Sequence, residues 1–161
     1  MKTPHRAAIV LFCRTPRSEG ASKDFGLGGV DNLRLSRGLL CQTLDTVGRL
    51  PDQTTVVLLT DGHLDDDDRG RLGRRPVVQL HQRGASFQDR LLDGLRRVAG
   101  LGFERLVVVG SDTPGLRAAD LRQALCGSVD EVVVGASRDG GCYLIGLDGS
   151  HLGDLDGLPW C

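Results

Sequence analysis

The chain has 161 residues, 40% hydrophobic and 25% charged, with 20 basic against 21 acidic side chains and a formal charge of −1. That length suits one domain with a real core, and the near-neutral balance offers no field to gather nucleic acid or an anionic membrane. The apolar runs are strand-sized, well short of the ~20 residues of a membrane helix, and no signal-peptide cleavage pattern follows the N-terminus, so a cytoplasmic protein is expected.

In chain order, "RAAIVLFC" (6–13) reads as a buried strand by length and residue type. A glycine-rich polar loop follows through residue 32, long enough to suggest a functional segment. Asp31 or Asn32 is placed to cap the next helix, where Leu33, Leu40, Leu44 and Val47 recur near helical spacing. "TTVVLLT" (54–60) is a second strand, then comes a polar excursion, and "PVVQLH" (76–81) is a third. Phe87, Leu91, Leu92 and Leu95 form the apolar stripe of a helix that stops at glycine. "ERLVVVG" (104–110), "DEVVVGAS" (130–137) and "CYLIGL" (142–147) are the remaining strands, with a short helix in "RAADLRQALCGS" (117–128).

This alternation predicts a three-layer α/β/α domain with a mostly parallel sheet. Only "RDGG" joins the last two strands. That is too short for a parallel crossover, so the sixth strand should run antiparallel. Ligands of such sheets sit beyond the carboxyl ends of the strands. The 14–32 loop, Asp112 and "SRDGG" (137–141) all fall there.

Several familiar sites are excluded by spacing. "GLGG" (26–29) fails the dinucleotide fingerprint because Asp31 stands where a third glycine is needed. There is no P-loop, and "VGSDT" (109–113) lacks the serine-hydrolase glycines. His5, His63, His81 and His151 show no metal-ligand spacing. "DDDD" (65–68), followed by Arg69, Arg71, Arg74 and Arg75, reads as a solvated loop or helix start. The five cysteines (Cys13, Cys41, Cys126, Cys142 and Cys161) form no C-x-x-C, and reduced thiols are expected.

Asp112 has a plain account, an Asp in a strand-to-helix turn. The chemical account is an acid for Mg²⁺ or Mn²⁺, a lysine (Lys23) for phosphate, and glycines (Gly140, Gly141) that let backbone approach a ligand. Ser111, next to the acid, joins Lys23 and the two glycines in the nucleotide-binding set.

"GSDTPGL" (110–116), "DGGCYLIGL" (139–147) and "GLPW" (157–160) together resemble a glycosyltransferase-A-like family related to phospholactate guanylyltransferase, also labelled TagF-like. "RTPRSEG" (14–20), "LLCQTLDTV" (39–47) and "QRGASFQDRL" (82–91) match its pattern in order. The resemblance implies a nucleotide-diphospho-sugar transferase fold that takes a nucleoside diphosphate-sugar or nucleoside triphosphate. By the same likeness Asp112 would hold the metal and Lys23 would meet the phosphates. Asp139, Gly140 and Gly141 would line the acceptor side, with Asp139 the candidate catalytic base and Gln82 and Arg90 in support. Asp24 and Phe25 depart from the family's threonine and arginine, removing a guanidinium clamp. Relatives also continue past the C-terminus, and an edge left open there would suit a homodimer. Metal-assisted glycosyl transfer, metal-assisted nucleotidyl transfer, and nucleotide binding or protein interaction without turnover all remain open on these residues.

Overall fold

β-Branched and leucine-rich runs make strands here, and the amphipathic segments between them make helices. The computed structural model describes residues 6–158. Strand β1 (Ala7–Cys13) is followed by helices α1 (Pro16–Ser22) and α2 (Gly29–Gly48). Then come β2 (Thr55–Thr60), α3 (Asp66–Gly70), β3 (Val77–His81) and α4 (Phe87–Gly100). β4 (Arg105–Val109), α5 (Ala118–Leu125), β5 (Val133–Ala136) and β6 (Cys142–Asp148) complete the sheet, and a 3-10 helix covers Gly149–Leu155.

The six strands lie in the order β3-β2-β1-β4-β6-β5. β1, β2, β3 and β4 pair in parallel, while β6 runs antiparallel to both β4 and β5. The "RDGG" argument therefore holds, and the reversed strand sits inside the sheet rather than at its edge. Alternation along β1 divides the core. Ile9, Leu11 and Cys13 pack with Leu40, Leu44 and Leu121 on one face, and Ala8 and Val10 pack with Leu91, Leu95 and Val98 on the other. Both faces are covered, as a three-layer domain requires.

Local corrections follow from capping and exposure. The 14–32 segment is not one loop: Pro16 starts α1, and α2 begins at Gly29 with Gly28 (φ 25°) at its N-cap. Asp31 lies inside the first turn, 3.3 Å from Arg34, and Asn32 is buried, so neither caps the helix. Leu33 and Phe87, expected to face inward, are each 41% exposed, although the Phe87 ring still meets Phe12 edge-on at 5.3 Å. Within "DDDD", Asp65 caps α3 by accepting from the Asp68 N–H at 2.8 Å, while Asp68 itself is buried. Cys13, Cys41, Cys126 and Cys142 are free thiols. Cys161 and the Trp160 end of the "GLPW" motif lie outside the described residues. No helix among the described residues is long and apolar enough to cross a membrane.

Two buried arginines fasten the connections. Arg75 donates to the carbonyls of Val47 (2.7 Å) and Gly48 (2.9 Å), placing a cation at the C-terminal end of α2. Arg105, 2% exposed, donates to Ala124 O (3.0 Å), Ser128 O (3.2 Å) and Glu131 O (2.6 Å). It thereby ties β4 to the α5–β5 connection. Glycine is needed at 127, because a Cβ there would stand 2.1 Å from Arg105 Nη2.

Arg105→Met removes a buried guanidinium that donates to three carbonyls. We expect urea unfolding to show a loss of about 3 kcal/mol. A loss below about 0.5 kcal/mol would mean that these carbonyls find other partners.

Candidate functional site

β1 and β4 are neighbours at the centre of the sheet, in register from Ala7↔Arg105 to Leu11↔Val109. From β1 the chain moves to β2 and β3 on one side; from β4 it moves to β5 on the other. The crevice beyond their carboxyl ends is the switch point where ligands of open α/β sheets bind. Lys23 arrives there from the β1 side and Asp112 from the β4 side. Their side chains meet, with Lys23 Nζ 2.5 Å from Asp112 Oδ2.

α1 is what places Lys23. Its start is held by Asp61, at the end of β2, whose Oδ1 accepts from the Thr15 N–H at 2.7 Å. Its last turn ends with the Lys23 N–H donating to Glu19 O at 2.9 Å. The i,i+4 spacing then sets Lys23 Nζ 2.8 Å from Glu19 Oε1, so one ammonium bridges two carboxylates. Burial pulls the Lys23 pKa down, but the hydrogen bonds and charges of Asp112 and Glu19 outweigh it and leave the ammonium above its ordinary value.

Asp112 leaves the sheet through Gly110 and the buried Ser111. A Cβ at Gly110 would stand 3.0 Å from Asp112 Oδ1, so the glycine keeps that side of the carboxylate clear. Cys13 lies beneath this cluster. Burial first, then the charges of Asp61, Glu19 and Asp112, push its thiol far above the ordinary range, which leaves it no thiolate character.

Asp139, Gly140 and Gly141 form the tip of the β5–β6 hairpin, at the same end of the sheet. Asp139 Oδ1 accepts from the Ser137 hydroxyl and from the Gly141 N–H (3.1 Å). The Ser137 hydrogen bond, then the backbone one, hold its carboxyl below the ordinary range. Gly140 has φ 91°, the left-handed region that favours glycine. Both of these bonds lie within the turn. The hairpin itself thus accounts for the glycine at 140 and the acid at 139.

Gln82 and Arg90 have structural employment. Gln82 Nε2 donates to Cys13 O (2.8 Å) and Leu59 O (3.0 Å), locking the carboxyl ends of β1 and β2 together. Arg90 donates to Ala85 O at 3.2 Å. Asp24, in the departing segment, accepts from the Gly26 N–H at 2.8 Å and closes a local turn.

Glu19 and Asp61 were not singled out from the sequence. The signal for Glu19 was its i,i+4 relation to Lys23, visible only once Pro16 is read as the start of a helix. His63 and His81, far apart in sequence, come together because β2 and β3 pair, and their rings meet perpendicular at 4.9 Å. They gather no third ligand: no group of three His, Cys, Asp or Glu among the described residues could hold a metal. An open cavity of about 510 Å³, lined by Arg17, Arg37, His63 and others, flanks α1 but does not include Lys23 or Asp112.

Solved structures share this fold. A candidate nucleotide-diphospho-sugar transferase from Desulfovibrio desulfuricans G20 is 21% identical with a TM-score of 0.70, over 97% of this chain and 70% of its own. A cytidylyltransferase from Leptospira borgpetersenii serovar Hardjo-bovis (strain JB197) is 14% identical with a TM-score of 0.58, over 98% of this chain and 66% of its own. The 4-diphosphocytidyl-2C-methyl-D-erythritol synthase of Anaerococcus prevotii DSM 20548 is 13% identical with a TM-score of 0.52, over 96% of this chain and 79% of its own. At such identities the likeness establishes the fold, that of nucleotide-diphospho-sugar transferases. No curated protein matches the chain by sequence. The family model that does match spans residues 43–161, most of the chain, and so the protein belongs to the family described as "uncharacterized protein conserved in bacteria" (DUF2064).

Proposed function

We propose that the chain binds a nucleoside diphosphate-sugar or nucleoside triphosphate at the Lys23–Asp112 crevice and serves glycosyl or nucleotidyl transfer. The observation that carries this reading is the meeting of a lysine and an aspartate from two different strand ends at the switch point. Both side chains are about half exposed, at 45% and 47%. An exposed pair of this kind adds little stability, so structure alone does not account for it. The solved structures of the same fold, described as nucleotide-sugar and cytidylyl transferases, support the same ligand class. Kinship with the phospholactate guanylyltransferase-related, TagF-like proteins belongs to this proposal and rests on the motifs at 110–116 and 139–147.

Asp112 offers one open carboxylate rather than a cage of protein ligands. That suits Mg²⁺ or Mn²⁺, which keeps several waters and completes its shell with substrate phosphates. A divalent ion there would supply charge neutralisation for the phosphates. Lys23 would hold the phosphates, Ser111 would support the Asp112 turn, and Gly140 and Gly141 would let the acceptor approach the hairpin backbone. Asp139 is the proton acceptor available on that side.

A second reading, binding without turnover, is favoured by Asp24. The carboxylate is engaged by the Gly26 N–H where relatives carry threonine, and Phe25 stands in place of arginine. The loop is thus shaped without a guanidinium fork for phosphate.

Asp112→Asn should weaken Mg²⁺-dependent nucleotide binding at least ten-fold by calorimetric titration while leaving the melting temperature within about 2 °C. Unchanged affinity, or a much lower melting temperature, would assign Asp112 to the turn alone. Phe25→Arg should tighten nucleotide binding by roughly ten-fold, the worth of one charge-assisted contact. An unchanged constant would place the 23–26 loop away from phosphate. Where turnover is found, the acid limb due to Asp139 should fall below its ordinary value of 3.8, because its folded pKa is lowered. A limb near pH 7 would give the proton transfer to another group.

A further inference from the structure

The geometry points to Glu19 as a positioning residue that keeps the Lys23 ammonium at the site when a divalent cation replaces it on Asp112. This rests on the nucleotide-binding reading and adds a residue to it. Three facts carry the inference. First, Lys23 is shared, 2.5 Å from Asp112 and 2.8 Å from Glu19, so losing one carboxylate does not set it free. Second, the two carboxylates differ in access: the Glu19 side chain is 14% exposed and Asp112 is 47% exposed. Asp112 is therefore the more accessible of the two to a hydrated ion from solvent. Third, Glu19 is fixed to Lys23 through the helix itself, by the Lys23 N–H on Glu19 O at 2.9 Å, whereas Asp112 comes from a distant strand end.

Two carboxylates and one ammonium leave a net charge of −1, which draws a cation in. A dication on Asp112 then repels the ammonium, whose four-carbon stem would otherwise swing into solvent. Glu19 holds it back. The ammonium has three donors, and release from Asp112 frees one of them for a phosphate oxygen while Glu19 keeps another. Cation entry and phosphate capture are thereby linked: the ion that occupies Asp112 also turns Lys23 from a carboxylate partner into a phosphate ligand. Asn32, whose Nδ2 lies 3.4 Å from Lys23 O, steadies the same backbone.

The test uses Mn²⁺ alone, followed by paramagnetic broadening of the Gly110 and Asp112 amide signals in the full chain. Lys23→Met removes the competitor and should tighten Mn²⁺ binding by about ten-fold. Glu19→Gln should weaken it several-fold, because the ammonium displaced from Asp112 then keeps no carboxylate partner. Glu19→Asp, which keeps the charge but shortens the reach, should weaken it as well. In the Lys23→Met background, Glu19→Gln should have little further effect. Equal effects of Glu19→Gln in both backgrounds would mean that Glu19 acts by its field alone, and would overturn the inference. So would a Lys23→Met protein that binds no tighter, or the absence of saturable broadening in every variant. Failure of the nucleotide reading shows separately, as the pattern in Mn²⁺ binding without nucleotide binding by the same protein.

Discussion

The parallel pairing of β1 with β4 governs the rest of this molecule. It is a non-local contact, joining Ala7–Leu11 to Arg105–Val109 across most of the chain. Because both strands point the same way, the segments after them emerge side by side. One carries Lys23 and the other Asp112, and no local feature of either segment would bring them together. The cost of closing so long a loop is met by the fully buried residues of the two strands on both faces of the sheet.

Around that centre, polar side chains do the fastening that hydrophobic contacts cannot, since apolar packing has no direction. Gln82 locks the ends of β1 and β2 through two carbonyls, and Asp61 anchors the start of α1. Arg105, at the opposite end of the sheet, ties the start of β4 to the connection leading into β5. These contacts are all to backbone groups. The Gln82 and Asp61 bonds lie at the carboxyl ends of the strands, as do Lys23 and Asp112, which are left about half exposed there.

The candidate site divides into two parts of different character. The Lys23–Glu19–Asp112 triad has no structural necessity: an exposed ion pair contributes little to stability. The hairpin tip does, since Gly140 sits at φ 91° and Asp139 closes the turn. A functional role at the tip would be laid over a structural one. In the triad, the carboxylates are more numerous than the cations, and under the proposed function a metal ion accompanied by phosphate would correct this imbalance.

The sequence by itself determined the elements and the class of fold. Strand-length β-branched runs, helical spacing of leucines, and a four-residue link before "CYLIGL" are local signals, and local energetics suffice to read them. The position of Asp112 at a strand tip followed in the same way. The sequence did not show α1, because a seven-residue segment rich in glycine and serine has poor helix propensity and is held by Asp61 from another strand. The exposure of Leu33 and Phe87 was also hidden, since periodicity marks a face without saying how far the neighbouring layer extends. Only the tertiary structure decided that Lys23 and Asp112 touch, that Glu19 shares the ammonium, and that His63 meets His81. Each of these depends on strand order and register, which arise from the packing of the whole sheet and leave no mark in any single stretch of sequence.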